Sequence, residues 1–283
     1  MKSTLKMILA GFVFAISLIS CRTSEEPTIE PTIDNNLTII KTISNDTHNI
    51  ELYSKTGQLG QGYQDISIKI KNKVSGQYEK NATLSWLPMM HMTSMTHSCP
   101  RSEIKKANAD GSLYNGYIVF TMGQNASEYW DIKIDYTING NSYTATSVLD
   151  VPVASKRNIN SFTGTDNNKY IMAFIEPTTP KTGTNDLVVG VWKKADMNNF
   201  ETVNAYTVKI DPRMPSMGNH SSPNNVNATQ ITGNAFYTGK LSLTMSGYWK
   251  INLQLADAAG NILKGENVTE ANPASSIFFE IEY

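Results

Sequence analysis

A segment rich in methionine and histidine occurs twice in this chain. The first copy runs from Pro88 to Pro100 and the second from Pro212 to Pro223, and each contains Met-x-Ser-Met, then a histidine, then Ser-x-Pro. The two histidines, His97 and His220, lie 123 positions apart, as do the closing prolines. Self-similarity at one offset indicates a duplicated unit. Because the repeat has the length of a domain, it predicts two tandem domains and not a solenoid.

The match continues downstream of each segment. Tyr-x-Gly begins at Tyr114 and again at Tyr237, at the same offset of 123. A Tyr-Trp pair follows in each copy and places Trp130 and Trp249 at the start of a predicted strand. We expect both indoles to fill the core of their own unit, because large aromatic side chains dominate the packing of small domains.

Strand patterns dominate the rest of the chain. Apolar and polar residues alternate around Ile66, Ile68 and Ile70, which predicts a strand with one buried face. Asn139-Gly140 between two such runs predicts a type I′ hairpin. No convincing amphipathic helix follows the N-terminal segment. The predicted strands are residues 63–71, 117–122, 130–136, 142–146, 170–176, 187–192, 206–211, 239–244 and 249–255.

About seven short strands in each unit predict an all-β chain of two tandem immunoglobulin-like β-sandwich domains. We assign them to residues 37–153 and 158–283, with a hinge at residues 151–161 between them. Two domains of this length lie in the usual size range.

The N-terminus predicts export and anchoring. Residues 1–20 combine Lys2 and Lys6 with an apolar run that is short for a membrane span, as in a signal peptide. The run ends in Leu18-Ile-Ser-Cys21, which resembles the lipobox of bacterial lipoproteins and implies lipidation of Cys21; an ordinary signal peptide is the alternative. Residues 21–36 predict a flexible tether. We therefore expect a lipid-anchored protein of the cell envelope, at the outer membrane, with the facing side left open.

Composition and motifs exclude several function classes. The formal net charge is −1, and becomes −3 once Lys2 and Lys6 are removed, so the chain lacks the basic surface of a nucleic-acid-binding protein. The usual hydrolase, metalloprotease, thiol-redox and phosphate-binding motifs do not occur. We predict a non-catalytic protein.

The order of these motifs resembles the YtkA-like domain. A Met-rich loop, a histidine, Ser-x-Pro, Tyr-x-Gly, a strand ending in methionine and a Trp-led strand cover residues 84–136 and again 206–255. That family is related in style to FixH, and its sandwich is similar to the CopC-like copper-binding fold. The resemblance implies an exported β-sandwich whose Met/His loop handles copper. One departure is Cys99, which is matched by Ser222 in the second copy.

The donor chemistry of the loops favours copper. Thioether sulfur is soft and neutral and suits Cu(I), and imidazole binds copper in both oxidation states. Three of the four histidines and six of the methionines lie in the two segments. In a regular strand Met92 and Met95 would point to opposite faces, but flanking prolines discourage a continuous strand and predict a loop in which they converge. The predicted ligands are Met92, Met95, His97, Cys99, Met214, Met217 and His220.

Two interpretations of the loops remain open at this point. In the first, they bind or pass copper ions, Cu(I) by preference. In the second, methionine fills irregular gaps and the loops pack a structural or adhesive module or contact an envelope protein partner. Cys99 is either a ligand or a small buried hydrophobe, and Met122 and Met245 are predicted to lie in the core.

Overall fold

The computed structural model describes residues 36–230 and 235–283. The predicted signal peptide, the lipidation site Cys21 and most of the predicted tether lie outside the described residues. The described chain consists of β-strands and one 3-10 helix at Pro215–Met217, with no α-helix in that part. The all-β prediction is thus confirmed. Within the same ranges, no helix has the length and apolar character needed to span a membrane.

Nine strands form the first unit, five in one sheet and four in the other. Their bounds are β1 (Thr38–Ser44), β2 (His48–Ser54), β3 (Gly62–Asn72), β4 (Thr83–His91), β5 (Thr96–His97), β6 (Lys105–Lys106), β7 (Tyr114–Phe120), β8 (Tyr129–Ile138) and β9 (Asn141–Leu149). One sheet has the order β1-β2-β3-β7-β6 and the other β5-β4-β8-β9. Ile66, Ile68 and Ile70 face the core between them, as predicted.

Eleven strands form the second unit. Their bounds are β10 (Ile159–Thr163), β11 (Lys169–Glu176), β12 (Gly183–Lys194), β13 (Phe200–Thr202), β14 (Thr207–Met214), β15 (His220–Ser221), β16 (Val226–Gln230), β17 (Phe236–Leu243), β18 (Tyr248–Ala256), β19 (Ile262–Lys264) and β20 (Phe278–Glu282). The orders β10-β11-β12-β17-β16 and β15-β14-β18-β19 repeat those of the first unit.

The two units differ in how their sheets are joined. In the second unit β16 pairs with both β17 and β14, so that the two halves become one continuous sheet. The equivalent β6 has two residues and pairs only with β7. The long β9 is replaced by two strands, since β19 pairs with one end of β18 and β20 with the other.

Both prolines that open the Met/His segments lie inside strands. Pro88 is opposite Ile132 in the β4–β8 ladder, and Pro212 is opposite Ile251 in the β14–β18 ladder. The sequence-based prediction of a loop beginning at these prolines was therefore wrong. The Pro88 carbonyl accepts a hydrogen bond from the Ser98 hydroxyl, on the side away from β8. A proline whose nitrogen faces that side costs the sheet no ladder hydrogen bond.

Each unit has its own hydrophobic core, and the two predicted tryptophans lie in them. Trp130 and Trp249 are fully buried, in the first and second core respectively. The Trp130 indole donates to the Met122 carbonyl at 2.9 Å, and that of Trp249 to the Met245 carbonyl at 3.0 Å. The same hydrogen bond at matching positions supports the duplication inferred from the sequence.

A third apolar cluster lies where the two units meet. Its aromatic members are Tyr63 and Tyr117 from the first unit and Trp192 and Phe236 from the second, with ring centroids 5.2–6.4 Å apart. The described residues, 36–230 and 235–283, belong to one compact body by their contacts. The domain boundaries assigned from the sequence stay predictions, but this cluster positions the cleft described next.

Candidate functional site

The first Met/His segment forms a hairpin between β4 and β5. Met90 is opposite His97 in the ladder. The Met92 N–H donates to the Met95 carbonyl at 2.9 Å, which closes the turn and continues the same register. Because side chains alternate between faces along a strand, Met92, Met95 and His97 project from the same face as Met90. The convergence predicted for a loop is therefore produced by a hairpin.

These side chains differ in burial along that face. Met90 is fully buried in the first core. Met92 and His97 are half-buried, and Met95 is 51% exposed at the hairpin tip. All three outer side chains line an open cavity of about 400 Å³ in the cleft between the units. The hairpin thus carries two thioethers and one imidazole at the mouth of this cavity.

The histidine is held in a form that can accept a metal. The Nδ1 of His97 lies 2.8 Å from the carbonyl oxygen of Ser98, so this nitrogen carries the proton and donates it to the carbonyl. In the neutral ring the lone pair is then on the other nitrogen, Nε2. The edge of the ring contacts Trp130, with centroids 5.9 Å apart and planes at 89°. A backbone carbonyl that fixes the imidazole tautomer is a common second partner of metal-binding histidines.

Hydrogen bonds fix the base of the hairpin to the second unit. The backbone N–H of Ser98 donates to the carbonyl of Met197 at 2.9 Å. The Arg101 guanidinium donates to the carbonyl of Asn198 at 3.0 Å and to the Ser98 hydroxyl at 3.1 Å. The cavity therefore has walls of fixed relative position, with the hairpin on one side and the second unit on the other.

His91 lies on the opposite face of the hairpin. Its Nε2 is 2.9 Å from the Asp131 carboxylate, and its ring stacks on Tyr129 at a centroid distance of 4.8 Å. This histidine has both a charged and an aromatic partner away from the cavity. It is not a member of the donor set formed by Met92, Met95 and His97.

Cys99 is placed apart from the other predicted ligands. It is fully buried in the first core and lies in the wall of a different cavity, of about 740 Å³, beside Trp86 and Arg101. Burial raises the pKa of the Cys99 thiol, more than the nearby Arg101 charge lowers it. The thiol is consequently protonated at neutral pH and behaves as a small apolar side chain.

The second Met/His segment has a different geometry. Met214 is opposite His220 in the β14–β15 ladder, so Met214 occupies the place of Met90 and not, as the shared motif implied, that of Met92. Met214 is 2% exposed in the second core, whereas Met217 is 56% exposed in the 3-10 helix and His220 is exposed. The three predicted donors are therefore split between the interior and the surface.

The length of the turn explains this difference. Five residues separate Met214 from His220, whereas six separate Met90 from His97. The shorter turn passes through the 3-10 helix and two left-handed residues, Gly218 at φ 63° and Asn219 at φ 60°. Met217 is the central residue of this five-residue turn and has no residue opposite it, whereas Met92 and Met95 face each other.

Other residues also line the first cavity. Met122, which was predicted to lie in the core, is half-buried just after β7, and Phe200, Lys169 and Lys194 line the cavity from the second unit. Met245, also predicted to lie in the core, is 37% exposed. No group of three or more His, Cys, Asp or Glu side chains within residues 36–230 and 235–283 is placed to hold a metal ion. A metal in this cleft would therefore depend on thioether sulfur. The sequence drew attention to Met122 because a strand ending in methionine follows Tyr-x-Gly in both copies. No pattern in the local sequence indicated that the two lysines belong to the site.

Comparison with known proteins bears on the second unit. The fold search finds a solved Escherichia coli structure, reported as FdeC, a broadly conserved adhesin eliciting protection against urinary tract infections. It is 17% identical, covers 80% of this chain, and has a TM-score of 0.24; this chain spans 64% of it. No curated protein matches the sequence. The model of the YtkA-like family matches residues 165–254, which confirms the predicted YtkA-like domain in the second unit.

Proposed function

We propose that this protein is a non-catalytic cell-envelope protein that binds Cu(I) at the first Met/His hairpin and passes it on. One observation carries the proposal: the β4–β5 register places Met92, Met95 and His97 on one face, at the mouth of a shared cavity. Such a placement is not needed for packing alone, because Met90 already fills the core position of this hairpin.

The donor set fits Cu(I) better than other common metals. Two thioethers and a neutral imidazole are soft ligands that suit Cu(I), whereas Zn²⁺ prefers thiolate, imidazole and carboxylate. The Nδ1 hydrogen bond of His97 leaves Nε2 as the metal-binding atom. Bound Cu(I) would take no part in catalysis, because these residues would only hold and release the ion.

Only the first hairpin provides the proposed Cu(I) site. We expect the second hairpin to bind much more weakly, since Met214 is buried while Met217 and His220 are exposed. Cys99 is left out of the ligand set because its thiol is buried, neutral and outside the cavity. The two hairpins are therefore expected to differ in Cu(I) affinity through the paired methionines of the first, and not through Cys99.

The test is competition for Cu(I) against a chromophoric chelator under reducing conditions. Replacing Met92 and Met95 by leucine keeps volume and apolar character but removes both sulfur donors. We expect this double variant to lose more than about 100-fold in Cu(I) affinity, a larger loss than that usually seen when only an outer partner of a metal ligand is removed. A matched control replaces Met217 and Met245, both exposed methionines of the second unit, by leucine as well, and this variant should keep the Cu(I) affinity of the wild type.

Equal competition by the wild type and both double variants would contradict the copper proposal. The alternative would then apply: a structural or adhesive immunoglobulin-like module whose Met/His hairpins pack or contact a protein partner. Location in the envelope through a lipid on Cys21, at the outer membrane, is part of the same proposal and is supported by the Leu18–Cys21 segment of the sequence.

A further inference from the structure

Two lysines face each other across the wall opposite the hairpin. The register that pairs Tyr170 with Lys193 places Lys169 directly opposite Lys194 on the neighbouring strand. Both side chains line the same cavity as Met92, Met95 and His97. Like charges directly opposite in an antiparallel ladder destabilise a sheet. This pair therefore needs an explanation other than packing.

No carboxylate neutralises the lysine pair in the described part of the chain. Neither ammonium has an Asp or Glu within 4.0 Å there, and no acidic residue is found among those that line the cavity. Lys194 instead donates to the sulfur of Met197 at 3.6 Å. Burial, and then the charge of Lys169, lowers the pKa of Lys194, although Asp196 opposes the shift. The wall thus presents two positive charges, and no carboxylate within the described residues forms an ion pair with either of them.

A bare Cu(I) ion and this wall repel each other. Two thioethers and one imidazole are all neutral, so the hairpin brings no negative charge to offset a cation. Three donors leave room on Cu(I) for one further soft ligand. An anion that binds the metal and faces the lysines would remove this repulsion.

We propose that the cavity takes Cu(I) together with a small anionic thiol, and this inference rests on the proposed function. The thiol gives up its proton to solvent and its sulfur forms a bond to Cu(I), while its carboxylate lies against Lys169 and Lys194; no electron is transferred. A thiolate is the soft anionic donor for Cu(I), and the protein does not provide one here because Cys99 lies outside the cavity. A volume of about 400 Å³ is in the range of small-molecule sites.

The experiment compares three thiols that share the same two-carbon stem and differ in the charge of the end group. The Cu(I) affinity of the full chain is measured by competition with a chelator. Mercaptopropionate, mercaptoethanol or cysteamine is present in separate titrations at equal thiolate concentration. The Cu(I) that each thiol withdraws from the chelator without protein is measured separately and subtracted. We expect the Cu(I) affinity to be about tenfold higher with mercaptopropionate than with mercaptoethanol, because the lysines attract its carboxylate. With cysteamine it should be lower than with mercaptoethanol, because the lysines repel its ammonium group; both effects are partly screened by solvent. Replacing Lys169 and Lys194 by glutamine should remove these differences.

Lys193→Gln is the matched control, because Lys193 is adjacent in β12 but paired with Glu201 at 3.1 Å. It should preserve the order of the three thiols. If wild-type protein binds Cu(I) with the same affinity in all three thiols, the anionic co-ligand is ruled out while the copper proposal stands. If Cu(I) is bound in none of them nor without thiol, both proposals fail.

Discussion

Replacing each buried tryptophan by phenylalanine tests how the two units are built. Trp→Phe removes three heavy atoms from a fully buried site, which costs about 2 kcal/mol in lost burial and residual cavity. Trp130→Phe also leaves the Met122 carbonyl without its indole donor, which adds about 1–3 kcal/mol. The Met245 carbonyl, in contrast, also accepts a hydrogen bond from the Tyr283 hydroxyl at 2.9 Å and keeps that partner in Trp249→Phe.

The free energy of unfolding should therefore fall by about 3–5 kcal/mol in Trp130→Phe and by about 2 kcal/mol in Trp249→Phe. Urea unfolding at equilibrium measures both, and a constant urea dependence shows that the unfolded state is unchanged. Only Trp130→Phe should also weaken Cu(I) binding, since His97 rests against that indole. Equal losses of stability, or a larger loss in Trp249→Phe, would refute the assignment of the carbonyl partners.

Two further predictions concern the cysteines. Because burial raises the pKa of Cys99, its thiol should resist iodoacetamide in the native protein and react in urea. Above about pH 8.5 the thiol loses its proton in the unfolded state but keeps it in the folded state, so the free energy of unfolding should decline as the pH rises. Cys99→Ala should lessen that decline. Rapid labelling of the native protein would contradict this. Cys21→Ser should abolish metabolic acyl labelling and change membrane fractionation; labelling that persists would exclude Cys21 as the lipidation site.

Alternating patterns were reliable where one face of a strand is buried. All nine strands predicted from the sequence are present, and the Asn139-Gly140 turn has positive φ at both residues, 50° and 82°, as a type I′ hairpin requires. β4 was missed, and the predicted strand 206–211 ended before the last residues of β14, because a proline among methionines looks like a loop when the chain is considered alone. The prolines fit in these strands because each proline nitrogen faces a side where no ladder hydrogen bond from an N–H is needed. Which side that is depends on the neighbouring strand.

The site was predicted in part. Met92, Met95 and His97 were selected for their chemistry, and the structure brings them to one cavity. Cys99 and Met214 carry the same donor chemistry but lie inside the cores, since burial depends on contacts that local sequence does not record.

The sequence by itself determined the β class, the duplication and the soft donor chemistry, because these depend on residue type, alternation and spacing along one chain. The tertiary structure decided which donors are equivalent and which face a common space. The shared Met-x-Ser-Met motif aligned Met92 with Met214, but the ladder aligns Met90 with Met214, because register depends on the geometry of each turn. The lysine wall opposite the hairpin comes from strands some 70 to 100 residues away, and only the packing of the two units brings it to the site.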